Sequence, residues 1–374
     1  MPYYSQLRYL IKEKVERNKV IDKLILLRDQ LDKNIPSKDV ENTLLVATWN
    51  VRDFDKKNRR GYGDRLTESL FYIAEIISRF DLVAMQEVNR LNELGIVMNI
   101  LGPNWSYIAT DVADTAAGGN GERMTFLYDR RKVLFRNIAG EIVLPAPLLI
   151  SKVTLEEGES KATAGKQFRR TPFIVAFQAG WFRFNLCTVH IYYGAESGDA
   201  LKERVQEIES VAKFLSQRAN VGLRDEDTAL ILLGDFNIVH PEHKTMKALL
   251  DNGFVVPKAL QQKTNIDETK YYDQIAFKTK ENVIEFVDSQ SDDPLKRNAG
   301  VFRLFLSAFR KNQIDNYKEA MKKTSNLNSA QYAGDFEKYF EDWRTYQLSD
   351  HNPLWVRLQV NESQAYLDRL KKSG

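Results

Sequence analysis

Short apolar runs rich in β-branched residues recur along most of the chain, and turn-forming residues separate them. Such runs are typical of strands that are buried on both faces. The sequence predicts strands at 44–49, 82–85, 124–128, 173–177, 182–189, 230–233, 275–277 and 354–358. Helical periodicity lies between some of these strands, notably over 68–79 and 200–215. Alternating strands and helices indicate an α/β or α+β domain whose sheets are covered by helices.

A separate helical stripe precedes the first predicted strand. Apolar residues recur there at helical spacing, at Val20, Leu24, Leu27 and Leu31. Ile35-Pro36-Ser37 ends the pattern. We therefore predict a helical extension over residues 1–38 that packs on the domain or on a second copy of the chain. An arm that binds a partner or nucleic acid is the alternative.

The remaining residues, 39–374, are predicted to form one domain with an insertion. From about 288 to 345 the chain is charged and amphipathic, as in Val301-Phe302-Arg303-Leu304-Phe305. This segment lies between the last two predicted strands. We predict that it is a largely helical insertion.

Composition limits the classes of protein that fit this pattern. Of the 374 residues, 43% are hydrophobic and 28% are charged, which is ordinary for a globular protein and too apolar for wholesale disorder. The 54 Lys and Arg against 51 Asp and Glu give a net charge of +3, so any polyanion site must come from local clustering of cations. A single cysteine, Cys187, excludes an intramolecular disulfide and a Cys-based zinc site.

Two further features bear on location. The N-terminal segment lacks the apolar run of a secretory signal, and no stretch is long and apolar enough to span a membrane. We expect a cytoplasmic protein.

Polar residues stand at the ends of several predicted strands. Asn50 follows 44–49, Gln86 and Glu87 follow 82–85, His190 follows 182–189, Asp235 and Asn237 follow 230–233, and Asp350 and His351 precede 354–358. Residues at strand ends lie at the rim of a sheet rather than on its faces. We expect these side chains to meet at one rim.

A rim that gathers Glu87, Asp235 and Asp350 would hold three carboxylates, each with an unperturbed pKa near ~4. Ionised carboxylates held close together repel, and a bound divalent cation relieves the repulsion. Oxygen ligands without cysteine favour Mg²⁺, Mn²⁺ or Ca²⁺ over zinc. Histidines add proton transfer near neutral pH. Together these groups indicate hydrolysis of a phosphate ester.

Five motifs then carry a family resemblance. They are Trp49-Asn50, Gln86-Glu87, Thr188-Val189-His190, Gly234-Asp235-Phe236-Asn237 and Ser349-Asp350-His351. In kind and order they resemble the endonuclease/exonuclease/phosphatase superfamily, which has the deoxyribonuclease I-like fold, over residues 44–360. The resemblance implies a four-layer αββα sandwich of two mixed β-sheets flanked by helices. It also implies metal-dependent phosphoester hydrolysis.

The resemblance implies a role for each acidic and amide residue. Glu87 would be the principal Mg²⁺ ligand, with Mn²⁺ as an alternative ion. Asn50 would lie beside it and contact the metal or the phosphate, and Asp350 would join the metal site. Asp235 would be the base for the attacking water or would orient it, and Asn237 would hold that water or a phosphoryl oxygen.

The histidines and arginines complete the implied set. His351 would contact the scissile phosphate or share the base role, and Asp273 would orient its ring. His190 would contact phosphate or protonate the leaving oxygen. Arg123 and Arg170 precede predicted strands and would grip phosphate oxygens, because a planar guanidinium binds them bidentately.

The substrate is less constrained by sequence than the chemistry. Phosphoinositide 5-phosphatases have a Trp before the Gly-Asp-Phe-Asn motif and an Arg soon after it, whereas Leu232-Leu233 and Ile238-Val239-His240 stand here. We therefore predict an intracellular endonuclease or exonuclease that acts on DNA, or on RNA, by in-line attack of an activated water. The alternative is a phosphatase or phosphodiesterase acting on a phosphoinositide or small phosphate ester. A non-catalytic scaffold that kept the fold is the rival from another class.

Overall fold

The computed structural model describes residues 2–112, 121–150, 153–156, 159–162, 165–225, 228–279 and 281–373. The helices are α1 (Gln6–Leu10), α2 (Lys14–Asn34), α3 (Thr67–Ile77), α4 (Asn92–Leu101), α5 (Gly198–Asp225), α6 (Lys244–Leu250), α7 (Glu281–Asp288), α8 (Lys318–Lys322), α9 (Phe336–Gln347) and α10 (Ser363–Ser373). The strands are β1 (Thr43–Phe54), β2 (Leu82–Val88), β3 (Trp105–Ala109), β4 (Arg123–Asp129), β5 (Leu134–Glu141), β6 (Val153–Glu156), β7 (Glu159–Ala162), β8 (Phe173–Ala179), β9 (Phe182–His190), β10 (Ala229–Asp235), β11 (Asp273–Lys278), β12 (Ala299–Val301) and β13 (Leu354–Gln359).

Two mixed β-sheets form the centre of the structure. A six-stranded sheet has the order β12-β13-β1-β2-β4-β3, and a five-stranded sheet has the order β11-β10-β9-β8-β5. Strands β6 and β7 pair separately as a two-stranded hairpin. Every strand predicted from the sequence is present, and the helices predicted at 68–79 and 200–215 correspond to α3 and α5.

Strand direction brings the polar ends together. Strand β1 is parallel to β2, and β9 is parallel to β10, so the carboxyl ends of each pair lie at one edge of their sheet. Strand β13 runs antiparallel to β1, and β11 runs antiparallel to β10. The first residues of β11 and β13 therefore lie at these same edges.

Alternation along β1 explains the layers. Leu44 and Val46 belong to the core between the two sheets, whereas Leu45, Ala47 and Trp49 belong to a second core beneath the helices. Side chains of successive strand residues point to opposite faces of the sheet. A strand whose residues are all buried therefore needs another layer packed against each face. Helices α2 to α4 cover one sheet, and α5 and α6 cover the other. This arrangement confirms the predicted αββα fold class.

The N-terminal segment packs on the helical side of the six-stranded sheet. It forms two helices, because Ile11 is extended and separates α1 from α2. Leu27 and Leu31 of α2 are fully buried in the same core as β1. Lys23 is also buried, and its Nζ lies 3.0 Å from Oε2 of Glu68 and donates to the Tyr317 hydroxyl at 2.7 Å.

The insertion is less helical than predicted. Within 288–345 the chain forms strand β12, short 3₁₀ turns, the five-residue helix α8 and most of α9. Strand β12 pairs with β13 and forms an edge of the six-stranded sheet. The amphipathic pattern reflects aromatic residues such as Phe302 and Phe309, which anchor irregular backbone to the core without helical continuity. Within the described residues, no helix combines the length and apolar character needed to cross a bilayer.

Candidate functional site

The polar residues at the strand ends converge where the two sheets meet. The side-chain amide of Asn50 donates at 3.1 Å to Oε1 of Glu87 and at 3.1 Å to Oδ2 of Asp235. Asn50 and Glu87 belong to the six-stranded sheet, whereas Asp235 ends β10 of the other sheet. Asn50 and Asp235 are almost completely buried, whereas the side chain of Glu87 is 20% exposed.

Asp235 is the centre of this cluster. Its Oδ2 lies 3.5 Å from Nε2 of His190 and 3.8 Å from Nε2 of His351. Burial is the largest influence on its carboxyl and raises the pKa of Asp235, while the two histidines oppose the shift. Two imidazoles and one amide therefore face a single carboxylate.

A carboxylate lies next to the Nδ1 atom of each histidine. Nδ1 of His351 lies 2.7 Å from Oδ2 of Asp273, and Nδ1 of His190 lies 2.8 Å from Oε1 of Glu122. A partner at Nδ1 fixes the ring and leaves Nε2 directed at the site. Glu122 also forms an ion pair with Arg170.

The two carboxylates also favour protonated imidazoles. Burial lowers the pKa of His351, but Asp273 and Asp235 outweigh it and hold that pKa well above the usual value. Burial and Arg170 lower the pKa of His190, but Glu122 and Asp235 outweigh them and raise it. Both shifts favour the protonated ring, in which each Nε2 is a donor toward the site.

The backbone around the site is unusually strained. Glu87 has a φ of 61° and Asn237 a φ of 53°, in the left-handed region that non-glycine residues rarely adopt. Asp53 also has a positive φ of 45°, and its backbone N–H donates to Oε2 of Glu87 at 2.8 Å. Residues in such conformations cluster at functional sites, where surrounding contacts hold them.

Gly234 allows the two parallel strands to approach closely beside Asp235. Its φ is 135°, and a Cβ built there would lie 2.1 Å from the carbonyl oxygen of Val189. Only glycine fits this position, because it has no Cβ to meet that carbonyl.

Asn237 is tied to the backbone. Its Nδ2 donates to the carbonyl of Ile191 at 2.7 Å, and its N–H donates to Oδ1 of Asp235 at 2.9 Å. These contacts turn Oδ2 of Asp235 toward Asn50 and the histidines. In this structure Asn237 supports Asp235 directly.

Two predicted residues lie toward the periphery. Asp350 is 39% exposed, and its carboxylate pairs with Nε of Arg52 at 3.4 Å. Among the described residues, no hydrogen bond or ion pair joins its side chain to Asn50 or Glu87. Arg123 begins β4 opposite Val88, and its Nη1 donates to the carbonyl of Thr110 at 2.7 Å.

The side chains present fit a hard divalent cation. Glu87, Glu122 and His190 form one group, and Asp235, Asp273 and His351 form another, with the donor atoms of each group within 4.8 Å of one another. The amide oxygen of Asn50 is buried and has no hydrogen-bond partner among the described residues. A buried oxygen without a donor is an open acceptor, which a bound cation or a water can satisfy.

Sequence reasoning did not find Glu122 or Arg52. Glu122 directly precedes β4 and is 4% exposed, so the rule that located polar residues at strand ends would also have selected it. Arg52 lies two residues after Asn50, and its guanidinium stands 3.9 Å over the ring of Tyr346. No sequence signal connects Arg52 to Tyr346, because the contact depends on how α9 packs.

The fold is similar to that of known structures. An endonuclease/exonuclease/phosphatase family protein from Bacteroides thetaiotaomicron matches with a TM-score of 0.51 and 18% identity, over 86% of this chain and 98% of that chain. A mannosyl-6-phosphatase from Bacteroides thetaiotaomicron VPI-5482 matches with a TM-score of 0.47 and 17% identity, over 84% and 99%. The human Nocturnin catalytic domain with bound sulfate matches with a TM-score of 0.46 and 12% identity, over 84% and 94%.

The first of these matches establishes the fold. The chain shares the fold of that endonuclease/exonuclease/phosphatase family protein, which confirms the resemblance at the level of the fold. No protein-family model matches the sequence, and neither does any curated protein.

Proposed function

We propose that this chain is a divalent-cation-dependent phosphoester hydrolase, and more specifically an intracellular nuclease. The observation that carries the proposal is the meeting of Asn50 and Glu87 with Asp235 and two carboxylate-backed histidines at one edge of both sheets. Oxygen ligands, one candidate base and two cationic donors are the parts that hydrolysis of a phosphate ester requires.

Glu87 and Asn50 would hold the cation, which we propose to be Mg²⁺ or Mn²⁺. Glu87 would offer Oε1, which lies beside the Asn50 amide, while its Oε2 accepts from the backbone N–H of Asp53. Asn50 offers the unpartnered Oδ1. When bound, the cation would neutralise charge on the phosphoryl and leaving oxygens. Asp350 is the weaker candidate ligand, because its carboxylate is engaged by Arg52.

Asp235 is the proposed base for the attacking water. Burial raises the pKa of its carboxyl, which makes the ionised form a better proton acceptor. The amide of Asn50 and the backbone of Asn237 hold its two oxygens, so the carboxylate keeps one orientation. A fixed base removes much of the entropic cost of the reaction.

The histidines are the proposed donors to the phosphate. His351, backed by Asp273, would bind a phosphoryl oxygen, and His190, backed by Glu122, would bind phosphate or protonate the leaving oxygen. Arg170 lies behind Glu122, where it would reinforce the cationic side of the site. Arg123 lies at the adjacent strand start and would bind a phosphate oxygen.

A basic segment beside the site supports a polyanionic substrate. Nζ of Lys56 lies 2.8 Å from one oxygen of Asp53, and Nε of Arg60 lies 3.0 Å from the other. The backbone of Asp53 binds Glu87, so these cations stand next to the proposed metal ligand. Nucleic acid, with a phosphate at every nucleotide, would use such neighbouring cations. We favour DNA over RNA by a small margin.

A substrate panel tests this proposal. The purified chain is incubated with Mg²⁺ or Mn²⁺ and supercoiled plasmid, single-stranded DNA, RNA, inositol phosphates or a generic phosphate bis-ester. Plasmid nicking or DNA degradation supports the nuclease. Release of inorganic phosphate from the inositol phosphates would replace it with the phosphatase alternative.

Matched variants make the panel specific. Glu87→Gln removes the proposed metal-binding charge and should abolish turnover. Glu319→Gln makes the same change at an exposed position of α8 and should leave turnover unchanged. If the folded wild-type chain hydrolyses none of these substrates, the proposed enzymatic activity is contradicted and the non-catalytic scaffold is favoured.

A further inference from the structure

A buried arginine stands behind the candidate site. Arg204 lies in α5 and is 1% exposed. Its Nη1 donates to the carbonyl of Asn237 at 3.0 Å, and its Nη2 donates to the carbonyl of Ala195 at 2.9 Å. These carbonyls belong to the two segments that follow β10 and β9. One guanidinium therefore joins the two segments that follow Asp235 and His190 in the chain.

The contact with Asn237 bears directly on Asp235. Asn237 is in the left-handed region, and this conformation aims its N–H at Oδ1 of Asp235. A conformation of this kind costs about 1–3 kcal/mol and persists only where other contacts hold it. Arg204 supplies such a contact at the carbonyl of the same residue.

A chain of ring contacts connects the same guanidinium with His351. The Arg204 guanidinium stands 4.7 Å over the ring of Tyr193, which packs edge-on against Tyr272 at 6.1 Å. Tyr272 in turn stacks on His351 with ring centroids 5.5 Å apart. The arginine thus backs both the candidate base and a candidate phosphate donor without touching either.

The arginine has no ion-pair partner among the described residues. Burying an unpaired charge is costly, and an apolar side chain on α5 would fill the same volume without that cost. The guanidinium is planar and stays charged, so it can hold two carbonyls at a fixed separation, which an apolar residue cannot do. Packing alone does not account for its presence.

We propose that Arg204 is a positioning residue for the hydrolytic site, which holds the segments after β9 and β10 in register so that Asp235 keeps its orientation. The proposal rests on the proposed function. Arg204 lies outside the candidate site, and hydrogen exchange can test its role without any measurement of turnover.

The test compares Arg204→Met and Arg204→Lys with Arg218→Met, which changes an exposed arginine of the same helix. We expect kcat to fall roughly 10- to 100-fold in Arg204→Met with little change in KM, because small displacements of catalytic groups have effects of this size. Arg204→Lys should retain part of kcat, since an ammonium can reach only one carbonyl well. Arg218→Met should match the wild type.

A double variant separates positioning from general damage. If Arg204 acts through Asp235, Arg204→Met should add little to the loss already caused by Asp235→Asn. A fully additive loss, or full kcat in folded Arg204→Met, would overturn the proposal.

Hydrogen exchange supplies the measurement that does not need activity. Amides of 191–196 and 235–239 should exchange faster in Arg204→Met than in Arg218→Met, while the rest of the sheet stays protected. Unchanged exchange in both segments would overturn the positioning role even in an active enzyme. If exchange changes as expected but the wild type hydrolyses no substrate, the proposed function fails and the positioning of these segments stands.

Discussion

A hydrogen bond of 3.1 Å from the amide of Asn50 to Oδ2 of Asp235 joins two residues that are 185 positions apart. Asn50 belongs to the six-stranded sheet and Asp235 to the five-stranded sheet. The site is therefore assembled only when both sheets are formed and packed. This dependence connects the stability of the fold to the geometry of the proposed chemistry.

The first prediction concerns the base. Asp235→Asn keeps the shape of the side chain but removes its proton acceptor, so we expect kcat to fall roughly 10²- to 10⁴-fold. Steady-state kinetics on the substrate found by the panel measure this change. A folded Asp235→Asn enzyme with wild-type kcat would remove Asp235 from the role.

The second prediction concerns the metal. A cation that binds only the folded chain stabilises it in proportion to the logarithm of the free ion concentration. Mg²⁺ or Mn²⁺ should therefore raise the melting temperature of the wild type, and chelation should reverse the rise. Glu87→Gln should lose most of this response, whereas Glu319→Gln should keep it. An equal rise in both variants would place the ion elsewhere.

The third prediction concerns pH. Burial raises the pKa of Glu207 to about 7, and this side chain is 1% exposed. The folded state then binds the proton more tightly than the unfolded state. The stabilisation that this bound proton gives the folded state is fully present below the ordinary pKa of a glutamate. It is lost as pH rises toward and through about 7. The wild type should therefore lose stability across this interval, by up to about 3 kcal/mol.

Glu207→Gln removes the titrating group, so the difference between variant and wild type isolates the contribution of Glu207 to stability. The free energy of unfolding in urea, measured at about pH 5 and about pH 8, should favour the variant more at the higher pH. If the difference between variant and wild type is the same at both values, Glu207 does not titrate in this range.

The sequence predicted the parts of the fold that are apolar on both sides. Strands β1, β2, β9 and β10 were predicted because burial on two faces leaves a continuous apolar run. Strand β5 was not predicted, because most of its residues are exposed and no apolar pattern remains. The insertion was predicted as helical because periodicity does not distinguish a helix from aromatic anchors at irregular spacing.

The same limit applies to the site. Strand ends identify residues at a rim, so Asn50, Glu87, Asp235 and His351 could be named together from sequence. Glu122 stands next to the start of β4 and could have been selected by the same rule, but its pairing with His190 depends on the sheet order and on the loop before β4. Asp350 was assigned to the metal from its place at a strand end and from the motif, and its pairing with Arg52, which stacks on Tyr346 of α9, could not be foreseen from either.

The fourth prediction concerns the N-terminal extension. Lys23 of α2 and Glu68 of α3 form a buried ion pair at 3.0 Å, and Lys23 also donates to Tyr317. Lys23→Met leaves the carboxylate buried without its partner, so we expect a loss of about 3 kcal/mol in the free energy of unfolding. The double variant with Glu68→Gln should recover part of this loss. Lys19→Met, at an exposed position of the same helix, is the control.

The fifth prediction concerns the glycine before Asp235. Gly234 combines a φ of 135° with a Cβ position 2.1 Å from the carbonyl of Val189, so Gly234→Ala must displace β10 from β9. We expect a loss of at least about 2 kcal/mol in the free energy of unfolding, together with lower kcat, because Asp235 follows directly.

Gly95→Ala is the matched control. Gly95 lies in α4 with open space around it, so alanine there should stabilise the chain by about 0.5–1 kcal/mol. Equal effects at both positions would contradict the close approach of β9 and β10.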